Sequence, residues 1–161
     1  MFPAFSIVSN LLPSVLPFYA VTYHANPPLL RGLSLRALNP EELTETCEVL
    51  LTAAQHFGCP YWLLDGRANP DGQPPSLRQW LREEYFPRVR AALGLPLHVA
   101  YLVTPEFRAV IDQLGLGQVD ELQPAVGWVG WFTQEATALA WLEQQRLVQP
   151  PRNSAEPGVT T

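Results

Sequence analysis

The feature that most constrains the fold is a short apolar run that ends abruptly in charged residues. The run Tyr61–Asp65 is followed by Gly66 and Arg67, and then by a loop rich in turn-forming residues, from 68 to 75. An apolar run of this length, bounded by turn residues, is typical of a strand buried on both faces. The sequence therefore predicts a central strand whose carboxyl end opens into a loop, where ligands and partners of open α/β sheets usually bind.

Other predicted strands and helices alternate along the chain. The strands are expected at 17–24, 30–38, 97–103 and 125–132, and amphipathic helices follow 39, 76, 104 and 133. The first two strands are expected to pair as an antiparallel hairpin. The order ββαβαβαβα predicts an α/β fold with a mixed, mostly parallel sheet of about five strands and four or five helices.

Capping signals mark the helix starts. Asn39 and Thr104 each precede a proline and a glutamate, a favourable order for an N-cap and a first turn. Ser76 and Gln79 have capping-box spacing, so we expect Ser76 to cap the helix that follows the central strand. Pro87 is expected to kink that helix or to start a second one.

The length and composition favour a single domain. The chain has 161 residues, of which 47% are hydrophobic, enough for one core. We expect an apolar N-terminal arm at 1–16, one α/β domain at 17–148 and a disordered, proline-rich tail at 149–161. The arm lacks a basic start and contains three prolines if Pro17 is included, so it is expected to pack on its own domain or a second subunit rather than to span a membrane.

Charge and cysteine content exclude several classes of protein. The net charge is -5, and the ten basic residues are all arginines scattered along the chain, which argues against a nucleic-acid binder. Cys47 and Cys59 are too few for a disulfide scaffold or a typical zinc site. The sequence therefore predicts no nucleic acid, no metal and no cofactor, and a reduced, cytoplasmic protein.

Several segments resemble the STAS-like (SpoIIAA-like) α/β domains, a group often labelled together with Sec14-like lipid-binding domains. The matching segments are 62–67, which ends in Asp-x-Arg, Trp80 on the following helix, the strand 98–103, and 132–136 with 140–142. The resemblance covers about Phe18 to Leu142 and implies a non-catalytic domain that binds a protein partner. Anti-sigma-factor antagonists of this group carry a phosphorylatable Ser or Thr after the central strand, whereas this chain has 66–72 there, without a hydroxyl. The resemblance therefore does not extend to a phosphorylation switch.

The loop after the central strand contains the candidate binding residues, which are Asp65, Arg67, Asn69, Asp71 and Ser76. The carboxylates of Asp65 and Asp71 and the guanidinium of Arg67 could form an anion or metal site at a strand end, or half of a general acid–base pair. The structural interpretation is that Asp65 bonds Arg67 or loop amides, which is the commoner role of such residues and is favoured here. Trp128 and Trp131 form a candidate apolar surface for a ligand or a subunit.

Three hypotheses about function follow. The first is a non-catalytic STAS-like domain that binds a protein partner or forms a homodimer through the apolar arm or an exposed strand. The second is a carrier of a small apolar or lipid-like ligand, which requires a cavity beneath the aromatic residues. The third is an enzyme that uses Asp65, Arg67 and His24, which requires these side chains to converge on one concave site.

Overall fold

The computed structural model describes residues 16–117 and 119–148. The predicted tail at 149–161 lies outside the described residues, as does the predicted arm apart from Leu16. Leu16 is partly buried against the main hydrophobic core.

Six strands form one mixed sheet in the described part of the chain. Their bounds are β1 (Tyr19–Ala25), β2 (Pro28–Ser34), β3 (Tyr61–Asp65), β4 (Leu97–Leu102), β5 (Val119–Glu121) and β6 (Gly127–Phe132). The spatial order is β1-β2-β3-β4-β6-β5. The pairs β2–β3, β3–β4 and β4–β6 are parallel, and the edge strands β1 and β5 are antiparallel to their neighbours. The predicted α/β class, hairpin and mostly parallel sheet are confirmed. The sixth strand, β5, was not expected, because three residues that include two acids show no strand pattern.

The helices are α1 (Pro40–Phe57), α2 (Pro75–Trp80), α3 (Phe86–Leu93), α4 (Pro105–Gln113) and α5 (Glu135–Val148). A π-helical turn, Leu81–Tyr85, joins α2 to α3, and the N–H of Phe86 donates to the carbonyl of Leu81. Pro87 is the second residue of α3, but the helical backbone is continuous with the π turn, so Pro87 lies inside a helical stretch and has no N–H to donate to the preceding turn. The wider π turn lets the helical backbone continue past Pro87.

Two of the three predicted helix caps are confirmed. The side chain of Asn39 accepts from the N–H of Glu42 at 2.8 Å, and Glu42 accepts in return from the N–H of Asn39 at 3.0 Å. Thr104 accepts from the N–H of Phe107 at 3.2 Å. The prediction for Ser76 was wrong: Pro74 is the N-cap of α2, and Ser76 is an exposed residue of its first turn. Two consecutive prolines fix the start of the helix before the hydroxyl can act.

The central strand β3 is buried on both faces, as its composition predicts. Trp62 and Leu63 are both 0% exposed and point to opposite sides of the sheet. Trp62 belongs to the main core on the α1 face, which is covered by α1, α2, α3 and α4. The opposite face, here called the α5 face, has a smaller core made of Leu63, Ala100, Leu102, Phe132, Ala138 and Leu142.

The α5 face is only partly covered. Helix α5 contacts β3, β4 and β6, and its buried residues are Ala138 and Leu142. The hairpin of β1 and β2 extends beyond the helix, and Leu33 on this face is 41% exposed. Among the described residues, the outer part of this hairpin therefore has a helical layer on one side only.

Gly127 provides a test of backbone packing at the start of β6. It has φ +147, and a Cβ there would lie 2.2 Å from the carbonyl oxygen of Leu97 on β4. We expect Gly127→Ala to lower the free energy of unfolding by roughly 3 kcal/mol, because both the backbone conformation and the strand contact oppose a side chain. Urea denaturation measures the change.

The matched control is Gly115→Ala. Gly115 also has a positive φ, +76, but a Cβ there would meet no atom within 4 Å. Only the conformational penalty of about 1 kcal/mol is expected. Equal losses at the two positions would show that the contact with Leu97 has no energetic weight.

Candidate functional site

The carboxyl end of β3 is held by a local ion pair. Asp65 is 8% exposed, and its Oδ1 accepts from the backbone N–H of Arg67 at 3.1 Å and from Nε at 3.0 Å. Its Oδ2 accepts from Nη2 of Arg67 at 2.8 Å. Asp65 thus makes both contacts of the structural interpretation, a bond to a loop amide and a bidentate pair with Arg67.

This ion pair continues into a longer network across the sheet. Arg67 lies 4.0 Å from Oε1 of Glu135 at the start of α5, and Arg31 on β2 donates to Oε2 of Glu135 at 3.2 Å. The network therefore joins β2, the loop after β3 and the start of α5. Burial raises the pKa of the Asp65 carboxyl, but the hydrogen bonds and positive charge of Arg67 lower it by more, and the net pKa is below its ordinary value. Asp65 is a poor proton acceptor in this state.

The rest of the loop is also tied to the fold. Asn69 is 6% exposed, and its Oδ1 accepts from the backbone N–H of Leu38 at 3.0 Å. The backbone of Asn69 bonds Gly66 on one side and Gly72 on the other. Asp71 and Ser76 are exposed at the loop surface and on α2. The five predicted site residues are therefore divided into three that fix the loop and two that face outward.

The enzyme hypothesis requires Asp65, Arg67 and His24 to lie close together, but they are spread along the sheet. In the strand register, Asp65 is paired with Leu33 and His24 with Leu29. Four residues along β2 separate these positions, roughly 13 Å. The geometry therefore brings Asp65 and Arg67 together but not His24.

A cavity of about 80 Å³ lies on the α1 face beside this loop, here called the strand-end cavity. The ends of β2, β3, β4 and β6 form its floor, and α1, the loop and α2 form its walls. Most of its lining is apolar or aromatic, including Tyr19, Leu64, Tyr101, Phe107 and Trp131. It occupies the carboxyl edge of the parallel strands, the usual ligand position in open α/β sheets.

Tyr19 reaches the cavity from β1 because Gly32 has no side chain. A Cβ at Gly32 would lie 2.1 Å from the hydroxyl oxygen of Tyr19, so the phenol crosses over β2 at this point. Burial raises the pKa of Tyr19 well above its ordinary value, and that of Tyr101 likewise. Burial also raises the pKa of the Cys47 thiol to about 12. These cavity groups are uncharged near neutral pH. A glycine inside a strand pattern was the one sequence signal of this close approach.

The two tryptophans predicted as one apolar surface lie on opposite faces of β6, so that prediction was wrong. Trp131 is 4% exposed and stacks on Tyr101 in the main core, with ring centroids 4.8 Å apart. Trp128 is half-buried and stacks on His98, 5.1 Å away, on the α5 face. A spacing of three residues along a strand always places side chains on opposite sides.

His98 is a buried histidine within an aromatic group. Its ring stacks between Tyr61, at 5.4 Å, and Trp128, and Trp141 approaches edge-on at 6.2 Å. Neither ring nitrogen has a hydrogen-bond partner among the described residues. Burial lowers the pKa of His98 to about 4. The imidazole is therefore neutral near pH 7 and acts as a packing group.

Within residues 16–117 and 119–148, no group of three or more His, Cys, Asp or Glu residues could hold a metal ion. No helix in that part of the chain is long and apolar enough to cross a membrane. Comparison of the chain with protein-family models, with curated proteins and with solved structures found no match.

The Asp65 ion pair leads to a prediction about acid stability. We expect Asp65→Asn to lower the free energy of unfolding at neutral pH by about 1–2 kcal/mol, because charge-assisted hydrogen bonds to Arg67 are lost. A carboxyl whose pKa is lower in the folded state stabilises the fold above its unfolded pKa of about 4, and this contribution disappears as the pH falls through the folded pKa. Urea denaturation from pH 7 to pH 3 should show the two proteins converging on acidification.

Asp71→Asn is the control, because Asp71 is an exposed residue of the same loop. It should lower the free energy of unfolding at pH 7 much less than Asp65→Asn does. A constant gap between wild type and Asp65→Asn across the pH range would contradict the electrostatic origin.

His98 leads to a second prediction about acid stability, of the same sign as that for Asp65 but in a higher pH range. Its pKa of about 4 in the folded state is below the unfolded value of about 6.5, so the unfolded chain binds more protons between these values. Stability should therefore fall as the pH drops from about 6.5 to about 4. In His98→Phe this pH-dependent loss should be absent, as thermal unfolding at several pH values would reveal; an unchanged pH profile would contradict the assignment to His98.

Proposed function

We propose that the chain is a non-catalytic α/β interaction domain that associates with a second copy of itself through the outer edge of β1. The observation that carries this proposal is the contrast between the two edges of the sheet. Edge strands expose unpaired backbone groups, and proteins usually protect them with short length, charges, prolines or covering side chains. In the described residues, β5 has such protection and β1 does not.

The protected edge is short and charged. Strand β5 has three residues, two of which are Asp120 and Glu121. Arg82 pairs with Asp120 at 2.6 Å and donates to the carbonyl oxygen of Glu121 at 3.2 Å. A second strand that approached this edge would have to displace an ion pair and meet negative charge.

The β1 edge is longer and neutral. Strand β1 has seven residues, YAVTYHA, with no proline, no lysine and no acid. The N–H of Leu35 donates to the carbonyl of Phe18, so by alternation the backbone groups of Ala20 and Thr22 face β2 and those of Val21 and Tyr23 face outward. No described strand pairs with these outward groups.

A second β1 is a suitable partner for this edge. Antiparallel pairing about the midpoint, Thr22, extends both sheets into one and satisfies the outward groups of both copies. The pairing brings together no like charges, because the charged residue of the hairpin itself, Arg31 on β2, is already paired with Glu135.

The other predicted properties are consistent with this function. Asp65 is held by Arg67, which supports a non-catalytic role for the loop. The STAS-like resemblance remains a prediction and would fit a domain that acts through protein contacts. Cys47 and Cys59 are both free, buried thiols, which supports the proposal of a reducing compartment such as the cytoplasm.

The test is the mass of the full chain and its edge variants by size-exclusion chromatography with light scattering. We expect the wild type to have twice the mass of one 18.0 kDa chain. Thr22→Glu and Thr22→Lys should each be monomeric, because two like charges would meet at the centre of the paired strands. An equimolar mixture of the two variants should regain the dimer mass.

Val119→Lys is the control on the other edge, where Val119 is 43% exposed, and it should remain dimeric. A wild type that is monomeric at high concentration would overturn the proposal. If a chain lacking residues 1–15 is monomeric and both Thr22 variants remain dimeric, the contact belongs to the apolar arm and not to β1.

A further inference from the structure

The strand-end cavity supports a second inference that is independent of self-association. We propose that it binds a small uncharged molecule with an apolar body and one hydroxyl or carbonyl group. The cavity lies on the α1 face, whereas the proposed dimer contact uses the outer edge of β1. Either proposal can therefore fail without the other.

The cavity is preformed by contacts that do not need a ligand. The loop above it is held at Asp65 by Arg67 and at Asn69 by the backbone of Leu38. The first contact ties the loop to the end of β3, and the second ties it to the segment that follows β2. A binding site whose walls are held in place by other contacts loses little conformational entropy when a ligand enters.

The size of the cavity limits the size of the ligand. Its volume is about 80 Å³. A dry apolar cavity of roughly 150 Å³ in another protein accepts benzene, which has six non-hydrogen atoms, so in proportion this one suits a molecule of about three non-hydrogen atoms. A lipid chain is far too large for it, which separates this inference from the lipid-carrier hypothesis.

The lining determines the chemistry of the ligand. Aromatic and aliphatic side chains surround most of the space, and Tyr19, Tyr101 and Gln73 contribute polar groups. Burial raises the pKa of both phenols, so they remain neutral donors and acceptors near pH 7. An alcohol or aldehyde can exchange a hydrogen bond with such groups. A charged molecule would lose its hydration without gaining a counter-ion, because the one charged residue of the lining, Asp65, is already paired with Arg67.

The mouth of the cavity is formed by residues at the protein surface. Leu43 on α1, Gly66 and Gln73 are half-buried, whereas Leu64, Leu77 and Trp131 deeper in the lining are buried. A side chain enlarged at Leu43 would therefore obstruct entry with little effect on the core.

The experiment is a titration of the full-length, ¹⁵N-labelled protein with ethanol, followed by NMR. Ethanol has three non-hydrogen atoms and one hydroxyl, and acetate, which shares its two-carbon skeleton but ends in a carboxylate, is the charged comparison. We expect saturable shifts confined to cavity residues, including the indole N–H of Trp131, and no saturable shift with acetate. Non-saturating shifts spread over the surface would overturn the proposal.

Two variants block the cavity at different depths, Leu43→Phe at the mouth and Leu77→Phe inside. Each should weaken ethanol binding at least tenfold, and thermal unfolding identifies whichever variant remains folded. Leu114→Phe is the control, because Leu114 is 50% exposed and lies outside the lining. Unchanged binding in a folded blocked variant would contradict the assigned site.

Tyr19→Phe tests the polar part of the proposal. It removes the hydroxyl and keeps the ring, so ethanol binding should weaken several-fold while binding of xenon, which cannot form a hydrogen bond, is retained. Equal effects on ethanol and xenon would overturn the role of the hydroxyl. Xenon is detected by the same saturable shifts.

Discussion

Burial of β3 on both faces is the constraint on which the rest of the structure depends. A strand with Trp62 buried on one side and Leu63 buried on the other requires helices against both faces of the sheet. The chain supplies α1 to α4 for one face and α5 for the other. Because α5 is a single helix, it covers the middle of the sheet and leaves the outer hairpin of β1 and β2 without a second described layer.

The end of the same strand determines how the loop and the cavity are arranged. Asp65 is buried at the end of the strand, so its negative charge needs a positive partner. Arg67, two residues later, provides that partner. Arg67 also lies beside Glu135, which pairs with Arg31. The carboxylate of Glu135 therefore links α5 to β2 and to the loop after β3. With the loop fixed in this way, the space beside it on the α1 face is a preformed cavity.

Elements with strong local signals were predicted from the sequence, and those that depend on distant contacts were not. The limits of β3, the hairpin and the caps at Asn39 and Thr104 follow from patterns within a few residues. Strand β5 has no such pattern, and it exists because its backbone pairs with β6. Ser76 had the spacing of a cap, but the prolines before it start the helix earlier.

The candidate site shows the same division. The sequence by itself determined that an acid and a base follow the central strand, and that α/β layering would place them at the carboxyl edge of a mostly parallel sheet. Only the tertiary structure decided that Asp65 is paired with Arg67 and that Tyr19 crosses over Gly32 into a cavity. The reason is physical: burial, pairing and cavity shape arise from residues that meet across strands, and such contacts leave no periodic trace in the order of the chain.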